Sequence, residues 1–166
     1  MFVVKQRAAK SDDAAAITRI YNEGIEDRIA TFETEPRSTE EVRERLETQY
    51  PAVVVEDEGK VAAFAWASAY SDRECYSGVV DFSVYVDRRY RRRGAGRTAM
   101  GALVKAAESA GIWKLTSKVF IENAPSRSLL ASLGFREIGI HEKHAKLDGK
   151  WRDVVVVERI IPANLS

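Results

Sequence analysis

The 166-residue sequence predicts an α/β fold, an α+β mixed sheet with helices on its faces, and three observations carry that expectation. A strand-like run at residues 79–86 passes through a basic, glycine-containing loop into an amphipathic stretch ending near Ala110. Two pairs of strand-like runs are joined by the short turns Asp57-Glu58-Gly59-Lys60 and Leu147-Asp148-Gly149-Lys150. Elsewhere, apolar residues recur at helical spacing behind recognisable start signals. The resulting order, β-α-α-β-β-β-α-β-α-β-β, treats residues 1–166 as one domain without repeat or linker.

Residues 2–7 can form the first strand. Ser11 or Asp12 can cap a helix that carries Ile17, Ile20, Tyr21, Gly24 and Ile25 on one face. The loop at residues 27–36 is polar with an embedded Phe32, which either covers a site or plugs the core. Ser38 and Glu41 fit a capping box ahead of a helix carrying Val42 and Leu46, and Pro51 prevents its continuation. Runs at 52–56 and 61–69 form a hairpin, and residues 70–78 loop into the central strand. After Gly111, placed as a helix C-cap, residues 114–120 alternate as a strand. Asn123 opens a helix with Pro125 in its first turn and Leu129, Leu130 and Leu133 inward, and strands at 135–146 and 151–160 close the chain.

Composition narrows the function classes. The net charge of +1 with many charges of both signs disfavours a general nucleic-acid binder, since the arginines of residues 88–97 are a local feature. One cysteine, Cys75, excludes an internal disulfide framework, and with two histidines leaves too few ligands for a zinc cluster. No apolar run is long enough to span a bilayer, and the first residues lack the apolar core of a signal peptide. A cytoplasmic, metal-free protein is the expectation.

The central stretch carries the chemistry. Val79-Val80-Asp81-Phe82-Ser83-Val84-Tyr85-Val86 is a mostly buried strand by its β-branched content, followed by Arg91-Arg92-Arg93-Gly94-Ala95-Gly96-Arg97. Gly94 and Gly96 let a ligand approach the backbone, while the free N–H groups of the first helical turn, its dipole and the arginines make an anion site. A phosphate-bearing ligand fits; a solvated basic face or a nucleic-acid patch are the other readings of the arginines.

This loop, followed by Asn123 and Ser126 ahead of Leu133-Gly134-Phe135, resembles the GCN5-related N-acetyltransferase superfamily along essentially the whole chain. A narrower resemblance lies in Tyr21-Asn22, Thr31-Phe32-Glu33-Thr34-Glu35-Pro36, residues 81–86 and Asp148-Gly149-Lys150-Trp151-Arg152-Asp153-Val154. These look like the phosphinothricin and arsinothricin N-acetyltransferases, which acetylate the α-amino group of glutamate analogues. The resemblance implies acetyl-CoA as co-substrate, no metal, a small amino-acid-like substrate, no nucleic-acid or membrane partner, and a homodimer. It implies that the pyrophosphate lies on the N–H groups of Arg92 to Arg97, with Arg91, Arg92, Arg93, Gly94, Ala95, Gly96 and Arg97 shaping the loop. The pantetheine arm would pair with Val84, Tyr85 and Val86, with Asn123 and Ser126 nearby.

Asp81 is the candidate base: a carboxylate in an apolar strand, where desolvation raises its pKa. It could instead face solvent or pair with an arginine. By the resemblance, the Val84 N–H polarises the thioester carbonyl. Leu130 stands where many superfamily members place a tyrosine acid, leaving water or an unassisted thiolate as the exit. Arg73 is the candidate anion anchor, Phe32 a pocket wall, and Tyr76 and Arg28 further substrate-binding candidates. Relatives often carry a histidine in the final hairpin turn; Asp148 stands there, with His144 nearby. Other readings are an acetyltransferase for methionine sulfoximine or a peptide N-terminus, and a noncatalytic acyl-CoA binding module, which would release no free CoA. Trp113 and Trp151 could serve a dimer interface or the core.

Overall fold

A computed structural model describes residues 4–166; Phe2 and Val3 of the predicted first strand lie outside the described residues. Seven strands form one mixed sheet in the order β1-β2-β3-β4-β5-β7-β6. In chain order the elements are β1 (Val4–Ala8), α1 (Ala14–Asp27), α2 (Thr39–Leu46), β2 (Ala52–Asp57), β3 (Lys60–Ala69) and β4 (Val79–Val86), then α3 (Ala95–Ser109), β5 (Lys114–Phe120), α4 (Ala124–Ser132), β6 (Arg136–Leu147) and β7 (Lys150–Ile160). Every neighbouring pair is antiparallel except β4 and β5, which run parallel. The order of elements is the one the sequence predicts.

Strand alternation gives β4 two different faces. Val80 and Phe82, with Val84 and Val86 less deeply, pack under α3 against Met100, Leu103 and Leu115. On the opposite face Tyr85 packs with Phe64, Trp66, Tyr21 and Ile17, beneath α1 and α2. Helices therefore cover both sides of the strand expected to carry the chemistry. Buried aliphatic and aromatic side chains on both faces hold it rigid.

Local signals behave as expected in α2, where the Ser38 hydroxyl accepts from the Glu41 N–H at 3.1 Å and the Glu41 carboxylate accepts from the Ser38 N–H at 3.3 Å. The start of α1 corrects the sequence reading: neither Ser11 nor Asp12 caps it. Residues Ser11–Asp13 form a short 3-10 turn, and the buried Asp13 accepts from the Lys10 N–H at 2.7 Å and from the Arg7 guanidinium at 2.8 Å. Asp13, the residue that precedes α1, makes no side-chain cap and spends its carboxylate on the Arg7 guanidinium and the Lys10 N–H instead. Trp151 is also corrected as a core candidate, being 56% exposed on β7, whereas Trp113 is half-buried with its ring over Gly78.

Asp87 fixes the point where β4 leaves the sheet. Its carboxylate is fully buried, 2.8 Å from Arg19 Nη1 and 3.0 Å from Arg89 Nη2, and it accepts from the Arg89 N–H at 2.8 Å. Burial opposes ionisation, but the donors from Arg89 and Arg19 outweigh it and hold the carboxyl at about 2. Because that value lies below the ordinary carboxylate range, the stabilisation is complete above the ordinary pKa and disappears as pH falls towards the folded one. Asp87→Asn is therefore expected to lose about 3 kcal/mol in urea unfolding at neutral pH. The gap between the two proteins should close as the pH is lowered from about 4 towards 2.

Candidate active site

The parallel pairing of β4 with β5 covers only Val79, Val80 and Asp81, opposite Lys114, Leu115 and Thr116. Beyond that point the strands diverge, and the Ser117 hydroxyl bridges the opening gap by donating to the Phe82 carbonyl at 2.9 Å. Which β4 groups face the gap follows from alternation. The Asp87 N–H donates to Ala62 on the β3 side at 2.9 Å, so odd-numbered residues pair with β3 and even-numbered ones turn towards β5. The N–H of Val84 and the backbone of Val86 therefore point into the divergence. Arg91 Nε reaches the Val86 carbonyl at 3.4 Å.

A cleft of about 630 Å³ opens at this divergence. Ser83 to Val86 form its floor, residues 94–97 one end, and Ser117, Asn123, Ser126 and Leu129 the far wall. Gly94 has φ +83°, a conformation that favours glycine, and turns the chain into α3. A Cβ on Gly96 would lie 3.1 Å from both Leu129 and Val86, so this glycine lets the helix start sit close to β4 and α4. The first N–H groups of α3 consequently end at the mouth of the cleft.

The basic stretch is less basic than its sequence. Arg88 pairs with Asp27 and Glu26, each at 2.8 Å, Arg89 with Asp87 at 3.0 Å, and Arg91 with Asp27 at 2.7 Å. Arg92, Arg93 and Arg97 are exposed and make no ion pair among the described residues. That pattern fits a compact anion at the start of α3 better than a long nucleic-acid track.

The other face of β4 carries polar and charged side chains, with Glu33 of the loop at residues 28–37 beside Tyr21. Asp81 sits opposite Ser68 of β3 and Thr116 of β5, with the side chain half-buried and no hydrogen bond among the described residues. Burial raises its pKa above the ordinary value, while Lys118 and Arg45 act to lower it. The Arg45 guanidinium lies 4.1 Å from the Trp66 ring centroid, over an indole that is only 3% exposed. The Glu33 carboxylate takes hydrogen bonds from the Tyr21 hydroxyl and from Arg37. Burial, reinforced by the charge on Glu33, pushes the neighbouring Tyr85 phenol up to about 12.

These contacts give the quoted sequence motifs a physical role. Asn22 clamps the loop, donating to the Arg37 carbonyl at 3.0 Å and accepting from the Arg37 N–H at 2.9 Å. Phe32 stacks edge-on against Phe120, 4.8 Å between centroids, beside Leu147 and Val154. It is a plug between loop and sheet as well as a wall. Arg28 is engaged, with Nε 3.1 Å from Asp148 and Nη1 donating to the Ile25 carbonyl at 2.9 Å. Asn123 is a helix cap, accepting from the Ser126 N–H at 3.2 Å, and it also donates to the Ile29 carbonyl at 3.1 Å.

Arg73 and Tyr76 stand apart from the cleft, exposed on the turn before β4, with the guanidinium 6.0 Å from the tyrosine ring. Leu130 is buried and Leu129 lines the cleft, so no phenol occupies that stretch of α4. Sequence reasoning missed Arg45, Trp66 and Ser117. Arg45 lies one turn after the buried Val42, a spacing that could have placed it on the inner face of α2. Among the described residues no cluster of potential metal ligands occurs, and no helix is long and apolar enough to cross a membrane.

Comparison with known proteins agrees with this geometry. The family model "Acetyltransferase (GNAT) family" matches residues 17–135. The chain is 35% identical to a phosphinothricin N-acetyltransferase of Streptomyces viridochromogenes, covering 91% of this chain and 84% of that one. It is 28% identical to an L-methionine sulfoximine/L-methionine sulfone acetyltransferase of Salmonella typhimurium, covering 92% and 91% respectively. A phosphinothricin acetyltransferase of Sinorhizobium meliloti, solved in complex with acetyl-CoA, superimposes with a TM-score of 0.89 at 30% identity, covering 95% of this chain and 88% of that one.

The environment of Asp81 has a consequence for stability. A carboxyl whose folded pKa is raised costs stability as pH rises past its ordinary value, because the folded state resists ionisation more than the unfolded chain does. Asp81→Asn is expected to raise the melting temperature at neutral pH and to change it little at pH values below the ordinary carboxylate range. Lys118→Ala, by removing a charge that favours the carboxylate, should move the Asp81 titration, followed by carboxyl carbon NMR, further upward.

Proposed function

The chain belongs to the acetyltransferase (GNAT) family, and from that membership we propose that its acceptor is the α-amino group of a small glutamate analogue, phosphinothricin or arsinothricin. The protein is an acetyl-CoA-dependent N-acetyltransferase. The substrate proposal is supported by the phosphinothricin N-acetyltransferase relative, and the proposed chemistry by the half-buried Asp81 three residues before the Val84 backbone that β5 leaves unpaired.

The residues present fit acetyl-CoA. The outward-turned backbone of Val84 and Val86 can receive the amides of an extended pantetheine chain as an added strand. The N–H groups at the start of α3, with Arg92, Arg93 and Arg97, suit a pyrophosphate. Asn123 and Ser126 then flank the arm on the α4 side.

The thioester supplies an activated acetyl group. The Val84 N–H donates to its carbonyl oxygen, where negative charge develops as the amine attacks. Asp81 takes the amine proton; its raised pKa makes it a better base than an exposed carboxylate. Three residues of strand separate Asp81 from Val84, about 10 Å, which accommodates an amine and a relaying water. With leucines at positions 129 and 130, the leaving thiolate is protonated from water.

Arg73 and Tyr76, on the turn before β4, are proposed to reach the acidic side-chain group of the substrate, with Phe32 as a wall and Arg28 holding the loop through Asp148. A methionine sulfoximine acceptor is the second reading, favoured by the Salmonella typhimurium relative. A homodimer is also proposed. The twelve-residue edge strand β6 is exposed along nearly its whole length and carries Ile138 and Ile140, 48% and 56% exposed, a face that a second copy would cover. The reaction is proposed to run in the cytoplasm.

Free-thiol release from acetyl-CoA against phosphinothricin, arsinothricin, methionine sulfoximine and a short peptide tests the substrate. Release with the glutamate analogues is expected; release with the peptide alone would overturn the proposal. In the same assay Asp81→Asn should lower kcat by roughly 10²- to 10⁴-fold with acetyl-CoA binding retained. Replacing Arg92 and Arg93 together by alanine should raise the KM for acetyl-CoA by about tenfold with kcat little changed. Arg88→Ala, whose side chain is engaged by carboxylates, should leave that KM near wild type.

A further inference from the structure

Arg45 makes no hydrogen bond or ion pair among the described residues. It follows Val42 by three residues on α2, so one face of the helix buries a valine and then lays a guanidinium over Trp66. Its Nε is shielded from solvent and has no hydrogen-bond acceptor, and the same is true of Trp66 Nε1. Its terminal nitrogens make no hydrogen bond or ion pair among the described residues. Burial pulls its pKa down, although the side chain stays within reach of water. An unpaired, partly desolvated guanidinium is costly to keep, and native proteins satisfy such groups unless another acceptor arrives.

The carboxylates near it do not serve that purpose. Glu33 is engaged by the Tyr21 hydroxyl and Arg37. Asp81 feels the charge of Arg45, yet the two are too far apart for an ion pair. Asp81 and Arg45, which lies over Trp66, thus share one face of the sheet, and neither makes a hydrogen bond or ion pair among the described residues. An α-amino acid carries the complementary pair, an ammonium and a carboxylate one carbon apart.

We propose that Arg45 binds the α-carboxylate of the substrate while Asp81 faces its amino group, so that a free α-carboxylate is a requirement of this site. The inference rests on the amino-acid reading of the acceptor and sharpens it. Arg73 on the turn before β4 is left for the side-chain anion, and a peptide N-terminus, whose α-carboxylate is tied up in an amide, is excluded. The planar guanidinium, held 4.1 Å over a buried indole, can bind the two oxygens of a carboxylate side by side.

The test compares phosphinothricin with its α-carboxamide as acceptors for wild type, Arg45→Gln and Arg45→Lys, with calorimetric binding of phosphinothricin to each protein in the presence of CoA. Wild type should prefer the acid by roughly 10- to 100-fold in kcat/KM, mainly through KM. That preference should collapse to about threefold or less in Arg45→Gln and survive in part in Arg45→Lys. Equal use of acid and amide by wild type, or a preference undiminished in Arg45→Gln, would overturn the assignment while leaving the proposed reaction intact. If neither compound is acetylated, the substrate proposal fails, and binding decides the site. Binding lost in Arg45→Gln supports the carboxylate site, whereas binding unchanged, or absent from wild type, overturns it.

Discussion

The separation of two parallel strands organises this protein. β4 and β5 pair for three residues and then part, and an unpaired strand edge inside a folded domain needs an acceptor and donor for every backbone group it exposes. The chain satisfies some of them itself. Ser117 donates to the Phe82 carbonyl and Arg91 approaches that of Val86, which leaves the Val84 N–H facing the cleft. What remains is a short stretch of strand edge, packed from both faces, which is proposed to pair with the extended pantetheine arm. The close seating of α3 on β4 at Gly96 and the anchoring of the strand end by Asp87 both serve that arrangement.

Charge is distributed to match. Half of the arginines between residues 88 and 97 are neutralised by Asp27, Glu26 and Asp87, which tie the loop to α1 and to the strand end. The remaining three lie around the start of α3, where helix dipole and guanidinium charge act in the same direction. On the opposite face of β4 the logic reverses. Asp81 and Arg45 are both partly desolvated and neither makes a hydrogen bond or ion pair among the described residues, which is the basis for proposing that this face takes a ligand carrying both signs of charge.

Much of this was legible in the sequence because local physics determined it. The capping box at Ser38, the Asp148-Gly149 turn and the strand entering Gly94 each act within a few residues, and each is found where expected. The family-like motifs were legible too, although their reasons were not. Asn22 proves to be a clamp on the loop at Arg37, and Asn123 a cap that also holds Ile29. What stayed hidden depends on distant parts of the chain meeting. Asp13, not Ser11 or Asp12, precedes α1 and is tied to Arg7 of β1, and Arg28 was claimed by Asp148, 120 residues away. Arg45 reads in the sequence as one more charge on a helix rich in Glu and Arg; only its position over Trp66 of β3 distinguishes it from its neighbours.

The central claim is that the divergence of β4 from β5 leaves the Val84 amide unpaired until the pantetheine chain occupies the strand edge. Residue-resolved hydrogen exchange with and without acetyl-CoA tests it most directly. The expected result is rapid exchange of the Val84 N–H in the free protein and strong protection in the complex, while the N–H groups of Ser83 and Tyr85, paired with β3, are protected in both. Equal protection of Val84 in the two states, or continued rapid exchange when acetyl-CoA is bound, would contradict the account.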